Sequence, residues 1–226
     1  MKQEHFGIKL KGSEMDNLIN EKNFSVLTES VLSKYPSYKI SYPWRQVENM
    51  LIYDLNMKYF ESLNKEKFED YLMNFVNQNN FYEVSDLNDV MYTTGIYIMV
   101  LDSYKQVYIG QSKKIGDRIK SHWNKQLEFY KINQACSPYK SKIAIDSFGA
   151  LDTTRIFIRE CNEKELNELE EKYIDEFDNS YLCNVISPLL ERKGIMSGQL
   201  FRCFPETKYD RSDTKKLTAI NIARIT

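Results

Sequence analysis

Apolar residues in this chain recur first at helical spacing, then in alternation, then at the two spacings by turns. Ser13 is placed to cap a short helix through Glu21, and Val26, Leu27, Val31 and Leu32 lie on one helical stripe. Tyr35-Pro36-Ser37-Tyr38 and Tyr42-Pro43-Trp44 interrupt the pattern, because proline biases the residue before it away from helix. Pro43 suits the first turn of a new helix running to about Tyr59, with Val47, Met50, Leu51 and Leu55 on one side and Asp54 at its edge. Asn64 is placed to cap a helix to Asn77, in which Phe68, Tyr71, Leu72 and Phe75 share a face.

The spacing then changes. Ile96, Ile98 and Val100 alternate with Tyr97, Met99 and Leu101, and Val107 and Ile109 alternate with Gln106 and Tyr108. Asp102-Ser103-Tyr104-Lys105 separates the two runs, so they form a hairpin, with Gly110 ending its second strand. Each strand sets a tyrosine on the face opposite its β-branched residues. Ser112 caps the next helix, which runs to about Tyr130 on an apolar face of Ile115, Ile119, Trp123, Leu127 and Tyr130. Arg118, His122 and Lys125 form a separate stripe on that helix. Gly116 weakens its first turn by up to about 1 kcal/mol relative to alanine, which points to a close backbone approach. Residues 131–148 hold a loop and a short helix, and Thr153 to Glu160 alternates as a third strand.

The last strong helix starts at Asn162 or Glu163 and ends near Phe177. Projected at about 100° per residue, Leu166, Leu169, Tyr173, Ile174 and Phe177 span one arc, and Glu170 falls inside it while Glu165, Glu168, Glu171, Asp175 and Glu176 fall outside. A carboxylate turned to the core is costly unless paired or bound to a metal. Glu170 therefore has either an internal basic partner or a metal, with Glu171 the alternative if the helix is rotated by one residue. The pattern as a whole is α/β in the α+β sense: a small three-stranded antiparallel sheet flanked by helices. It divides into a helical N-terminal region over 1–90, a core over 91–187 and a basic C-terminal extension over 188–226. The N-terminal region is expected to pack on the core, to dimerise, or to recognise a ligand.

Composition narrows the function. No apolar run is long enough for a membrane helix, and MKQEHFGIKLKG has no apolar signal segment, so a cytoplasmic protein with no membrane partner is expected. Cys136, Cys161, Cys183 and Cys203 form no Cys-x-x-Cys pair, and His5 and His122 are the two histidines, which argues against a zinc site. The net charge is −1, but it is segregated. Lys105, Lys113, Lys114, Arg118, Lys120, Lys125, Lys131, Lys140 and Lys142 cluster with Asp117 and Glu128 as the acids among them. A basic surface of this kind attracts phosphate even in a nearly neutral protein.

The triplets Gly95-Ile96-Tyr97 and Tyr108-Ile109-Gly110, with ten residues between the tyrosines, resemble those of the GIY-YIG endonucleases. Arg118 ten residues after Tyr108, His122 four further on, Glu170 on a later helix and Asn184 beyond it continue the resemblance, which covers roughly residues 92–187. The resemblance implies a DNA endonuclease. Glu170 would hold Mg²⁺ or Mn²⁺, and Tyr97 would act as general base or proton relay. Tyr108 would support the same water or hold the phosphate, and spacing does not say which tyrosine is the base. Arg118 would bind phosphate oxygens, His122 would assist a phosphate or the leaving group, and Asn184 would orient the site. Gln111 stands where many relatives carry lysine. With Lys113, Lys114, Lys120 and Lys125 it is expected to contact DNA. The central position of the core suits a type II restriction enzyme, possible as a homodimer. A structure-specific, homing-like or phage-defence nuclease and a non-catalytic DNA-binding protein are the other readings.

Overall fold

A computed structural model of the protein describes residues 3–10, 53, 55–125 and 142–184. The helices expected over 13–21 and 26–32, the start of the helix from Pro43, the central helix beyond Lys125, the loop from 131 to 141 and the extension over 188–226 lie outside the described residues. The regular elements are β1 (Glu4–His5), β2 (Ile8–Lys9), α1 (Lys65–Gln78), β3 (Tyr82–Glu83), β4 (Gly95–Leu101), β5 (Gln106–Ser112), α2 (Ile115–Lys125), β6 (Arg155–Glu160) and α3 (Leu166–Glu176). Residues 55–62 are also helical.

The central sheet has four strands in the order β3-β6-β4-β5, every neighbour antiparallel. Three were expected. The extra one is β3, whose Tyr82 and Glu83 sit opposite Ile158 and Phe157; two residues are too few to display a period. β5 also runs past Gly110, since Gln111 and Ser112 pair with Ile96 and Gly95. β6 begins at Arg155 rather than Thr153. Thr153 instead accepts a hydrogen bond on its hydroxyl from the Trp123 indole at 3.0 Å. β1 and β2 form a small hairpin in a stretch that reads as irregular, turning through Phe6 and Gly7 at positive φ. It is tied down by His5 Nε2 to the Thr153 carbonyl at 2.7 Å and by the Leu87 amide to the Phe6 carbonyl at 3.0 Å.

Alternation along β4 sends its side chains into two different cores. Ile96, Ile98 and Val100 join Val107, Ile109 and Phe157 under α1 and α3, through Phe68, Leu72, Phe75, Leu166, Tyr173 and Ile174. Tyr97, Met99 and Leu101 face the other way, toward Ile115, Ile119 and Trp123 of α2 and toward Ile143, Ile145 and Phe148. Every residue of β4 is buried. Burying an aliphatic side chain fully is worth about 1.5–3 kcal/mol relative to leaving it in water, so the strand of the first tyrosine is the best anchored in the sheet. The Asn64 side chain caps α1 as expected, accepting from the Lys67 amide at 2.7 Å. Arg155 links three elements, with two bonds of 2.8 and 2.7 Å to Glu69 on α1 and further bonds to Asp102 after β4.

α2 starts on a tight contact. A Cβ on Gly116 would stand 2.8 Å from the Met91 Cα and 2.9 Å from the Leu87 carbonyl oxygen, both main chain. The Gly116 amide meanwhile donates to the Val90 carbonyl at 3.2 Å. The glycine thus seats the helix directly on the 87–91 turn. Alanine ordinarily stabilises a helix by up to about 1 kcal/mol over glycine. Here Gly116→Ala is expected to destabilise the fold by roughly 1–3 kcal/mol, the cost of overpacking against a main chain that cannot yield. Urea unfolding of the two proteins measures this, and a gain in stability would refute the packing argument.

Candidate active site

The β4–β5 register sets Tyr97 opposite Gly110 and Met99 opposite Tyr108. Tyr97 and Tyr108 therefore share a face as diagonal neighbours, with ring centroids 6.1 Å apart. The Tyr97 ring leans across its partner strand. A Cβ on Gly110 would lie 2.5 Å from the Tyr97 hydroxyl and 2.8 Å from the Tyr108 ring. Only glycine leaves that room, so the last residue of the second triplet is there to receive the tyrosine of the first.

α2 passes over this pair. His122 is 2% exposed, and its Nε2 lies 2.9 Å from the Tyr97 hydroxyl. Its ring packs edge-on to Tyr108, with centroids 5.1 Å apart. Arg118, one turn earlier, brings its charge near the Tyr97 and Tyr108 hydroxyls. The expectation for His122 was a role at a phosphate or leaving group; in the structure the ring is turned to Tyr97. Its Nδ1 meets the carboxylate of Asp146, which lies in the short 3₁₀ turn Ile145–Ser147. Asp146 was not among the residues singled out from the sequence. Its signal there is slight: a single acid in the basic and apolar stretch KSKIAIDSF.

Glu170 comes from the opposite face. It is half-buried on α3, as is its alternative Glu171, whereas Glu165, Glu168, Asp175 and Glu176 are exposed; of the two, it is Glu170 that the Gln111 side chain meets. The Gln111 amide donates to Glu170 at 2.9 Å and to Asn167 at 2.6 Å. Glu170 also adds its charge to the surroundings of both Tyr97 and Tyr108. The two phenols, the guanidinium and this carboxylate are thus brought to one place around the end of β5. Asn184 lies beneath it, 4% exposed. Its side chain accepts from the Ile109 amide at 3.0 Å and donates to the Ile109 carbonyl at 2.7 Å, in the manner of a neighbouring strand. It holds the strand of Tyr108 and makes no bond to either phenol.

Burial pushes the Tyr97 hydroxyl well above its ordinary 10.0; Tyr108 and Glu170 add to the rise, and Arg118 opposes it. Burial likewise raises Tyr108, with Glu170 adding and Arg118 opposing. Both phenols are therefore neutral at neutral pH. Among the described residues no group of three or more His, Cys, Asp or Glu converges. Zinc, which wants several N and S ligands, does not fit this donor set. One hard carboxylate fits a Mg²⁺-like ion that keeps most of its waters.

The expected DNA-contacting residues are dispersed. Gln111 is engaged with Glu170 and Asn167. Lys113 is exposed and ion-paired with Glu163. Lys114 is exposed, its ammonium 5.6 Å from the centroid of the Tyr92 ring, itself 76% exposed. Lys120 lies on the far side of α2 from Arg118 and lines a groove of about 460 Å³ with Lys9, Asn88 and Asn124. Lys125 ends α2. Cys161 and Cys183 are free thiols, and no helix among the described residues is long and apolar enough to cross a membrane.

The raised phenols carry a consequence for stability. A group whose folded pKa lies above its unfolded value contributes stability that is complete below the unfolded value and lost as pH rises through the folded one. Tyr97 and Tyr108 should therefore resist ionisation near pH 10 and destabilise the fold above it. In an alkaline titration followed by tyrosinate absorbance, Tyr108→Phe is expected to remove one late-titrating group and to flatten the alkaline loss of stability. A variant that instead removes a group titrating near 10 would show that Tyr108 is not buried as described.

Residues 93–181 match the family model described as the GIY-YIG catalytic domain, a span of less than half of the 226-residue chain. No curated protein and no solved structure gives a match. Nucleases of this family generally depend on a divalent metal ion. With both triplets paired across one hairpin and the matched span enclosing Tyr97, Tyr108, Arg118, His122 and Glu170, residues 93–181 are a GIY-YIG catalytic domain, the domain of an endonuclease.

Proposed function

We propose that this nuclease hydrolyses phosphodiester bonds in double-stranded DNA with the help of Mg²⁺ or Mn²⁺, as a type II restriction endonuclease. The observation that carries the catalytic reading is the contact of His122 Nε2 with the Tyr97 hydroxyl at 2.9 Å, in the field of the Arg118 and Glu170 charges. Phosphodiester hydrolysis needs a deprotonated water, neutralisation of the scissile phosphate and relief for the leaving 3′-oxygen. Glu170 would hold the divalent ion, which supplies a Lewis acid for the phosphate and its attacking water. Arg118 would bind phosphate oxygens and stabilise charge that grows in the transition state.

Tyr97 would take the proton of the attacking water. A neutral phenol accepts a proton usefully only if it releases its own, and His122 Nε2 stands 2.9 Å away to receive it. This favours Tyr97 over Tyr108 as the relay. Tyr108, on the same face and half-buried, would hold the water or phosphate. Asn184 would act through the strand, keeping Tyr108 in register. Gln111 would steady the Glu170 carboxylate, and Lys113, Lys114, Lys120 and Lys125 would supply the basic surface for duplex DNA.

The restriction reading rests on layout. The catalytic domain sits between about ninety residues before it and a basic segment after it, which suits recognition elements that flank a nuclease core. The described part of the N-terminal region packs on the sheet, α1 against one face and the β1–β2 hairpin against the other, leaving DNA reading or dimer formation to other segments.

Incubation with plasmid DNA and Mg²⁺ is expected to give cleavage that a chelator abolishes. Glu170→Ala and Arg118→Ala are each expected to lower kcat by roughly 10²–10³-fold or more, in line with loss of a transition-state charge partner. Inactivity of the parent protein with every divalent ion would refute the reading. Sequencing of the fragment ends is expected to show a fixed recognition site. A random smear, or cutting confined to single strands or branched DNA, would assign the enzyme to a structure-specific or defence role instead.

A further inference from the structure

We propose that Asp146 is a positioning residue for this hydrolysis: it fixes His122 in the tautomer that carries its proton on Nδ1, so that Nε2 is bare and aimed at the Tyr97 hydroxyl. The inference rests on the nuclease reading above and goes beyond it in naming what sets the relay.

Hydrogen-bond inventory leads to this assignment. A guanidinium has donors and no acceptor, so Arg118 cannot take a proton from Tyr97. An ionised carboxylate has acceptors and no donor, so the nitrogen facing Asp146 must carry a hydrogen. With Nδ1–H directed at Asp146, the other nitrogen of a neutral imidazole is an acceptor. That nitrogen lies 2.9 Å from the Tyr97 hydroxyl, which has one hydrogen to give. All partners in the line Asp146–His122–Tyr97 are then satisfied by one proton arrangement. The line is also fixed in space: His122 is 2% exposed, Tyr97 0%, and the Asp146 side chain 19%. Asp146 comes from a different segment than either partner; it meets the imidazole directly and adds its charge to the surroundings of Tyr108 and Arg118.

The proton movements balance. As the water oxygen bonds to phosphorus, one water O–H bond breaks and its proton goes to Tyr97 Oη. The Tyr97 O–H bond breaks in the same step and its proton goes to His122 Nε2. The P–O3′ bond breaks, and the 3′-oxygen takes a proton from solvent. The resulting imidazolium faces the Asp146 carboxylate, and it returns its proton to solvent by way of Tyr97 after product leaves. The titratable and charged groups that face the imidazole among the described residues are Asp146, Tyr97 and Tyr108, with Arg118 one turn away on the same helix and the Glu170 charge beyond the phenols.

Two measurements test the proposal. The chain has only two histidines, His5 and His122, so long-range ¹H–¹⁵N spectra of the imidazoles can be assigned by His5→Gln. In the parent protein near pH 7.5, His122 is expected to show a protonated Nδ1 and a bare Nε2. A proton on Nε2 alone, or an imidazolium, overturns the proposal whether or not any variant folds. The second measurement is kinetic. Asp146→Asn is expected to lower kcat roughly a hundredfold with KM changed less than about twofold, the pattern of a lost orienting carboxylate. The acid limb of its pH–rate profile should move to lower pH, because an imidazole without the neighbouring charge gives up its proton more readily. Asp146→Glu should recover part of the rate. A merely structural role would lower activity without moving the acid limb, and an Asp146→Asn enzyme with the parent's kcat would sink the proposal. Failure of the parent to cut DNA would instead refute the nuclease reading, and the tautomer measurement would still decide the role of Asp146.

Discussion

The pairing register of β4 on β5 is the constraint on which the site depends. Side chains alternate along a strand, so a slip of one residue would carry Tyr97 and Tyr108 to opposite faces or bury both under α1 and α3. Two features hold the register. The Ile96–Ile98–Val100 and Tyr97–Met99–Leu101 sets are matched to different cores, so each face accepts only its own residues. Gly110 adds a steric key, because it is the position across from Tyr97 that must lack a side chain. The two triplets are therefore one structural unit read on two strands, rather than two independent sets of functional groups.

Around that unit the protein uses burial to set proton affinities. Tyr97 and Tyr108 are kept as neutral phenols by desolvation, and the nearby Glu170 charge strengthens the effect. Arg118 acts against it. Charge brought near Glu170 by a cation would work in the same direction as Arg118, so the acidity of the phenols is coupled to whatever the carboxylate holds. In the proposed mechanism this arrangement would keep the reactive proton on the phenol until substrate and ion are in place. It also explains why the acid and the phenols approach from opposite faces. α3 packs on one core and α2 on the other, and the end of β5 is where the side chains of both can reach a common point.

Much of this was legible in the chain itself. The alternation of β-branched residues and tyrosines gave the hairpin and both of its faces, and the helical arc gave Glu170 as the acid turned inward. The close approach at Gly116 followed from a glycine in a helix that had no other reason for it. What was hidden had physical causes. β3 and the β1–β2 hairpin have strands of two residues, too short for a period to appear. Asp146 lies in an irregular segment, where no periodicity assigns a facing direction, and its partner is twenty-four positions away. The part of Asn184 in the site could be named by resemblance, but its manner of acting, as a side chain bonded to a strand's main chain, depends on a tertiary contact that spacing does not encode.

That contact has a further implication for assembly. The outer margin of β5 is already occupied, by the Asn184 amide, by the Cys183 amide donating to the Val107 carbonyl at 2.9 Å, and by the parallel bridge between Val107 and Leu182. At the other margin, β3 offers two residues. Among the described residues, a second molecule therefore finds at most a two-residue ladder to extend on this sheet, a poor start for strands from two chains to zip together. Within the described residues the β4–β5 hairpin is thus closed off at its outer margin, a self-contained blade.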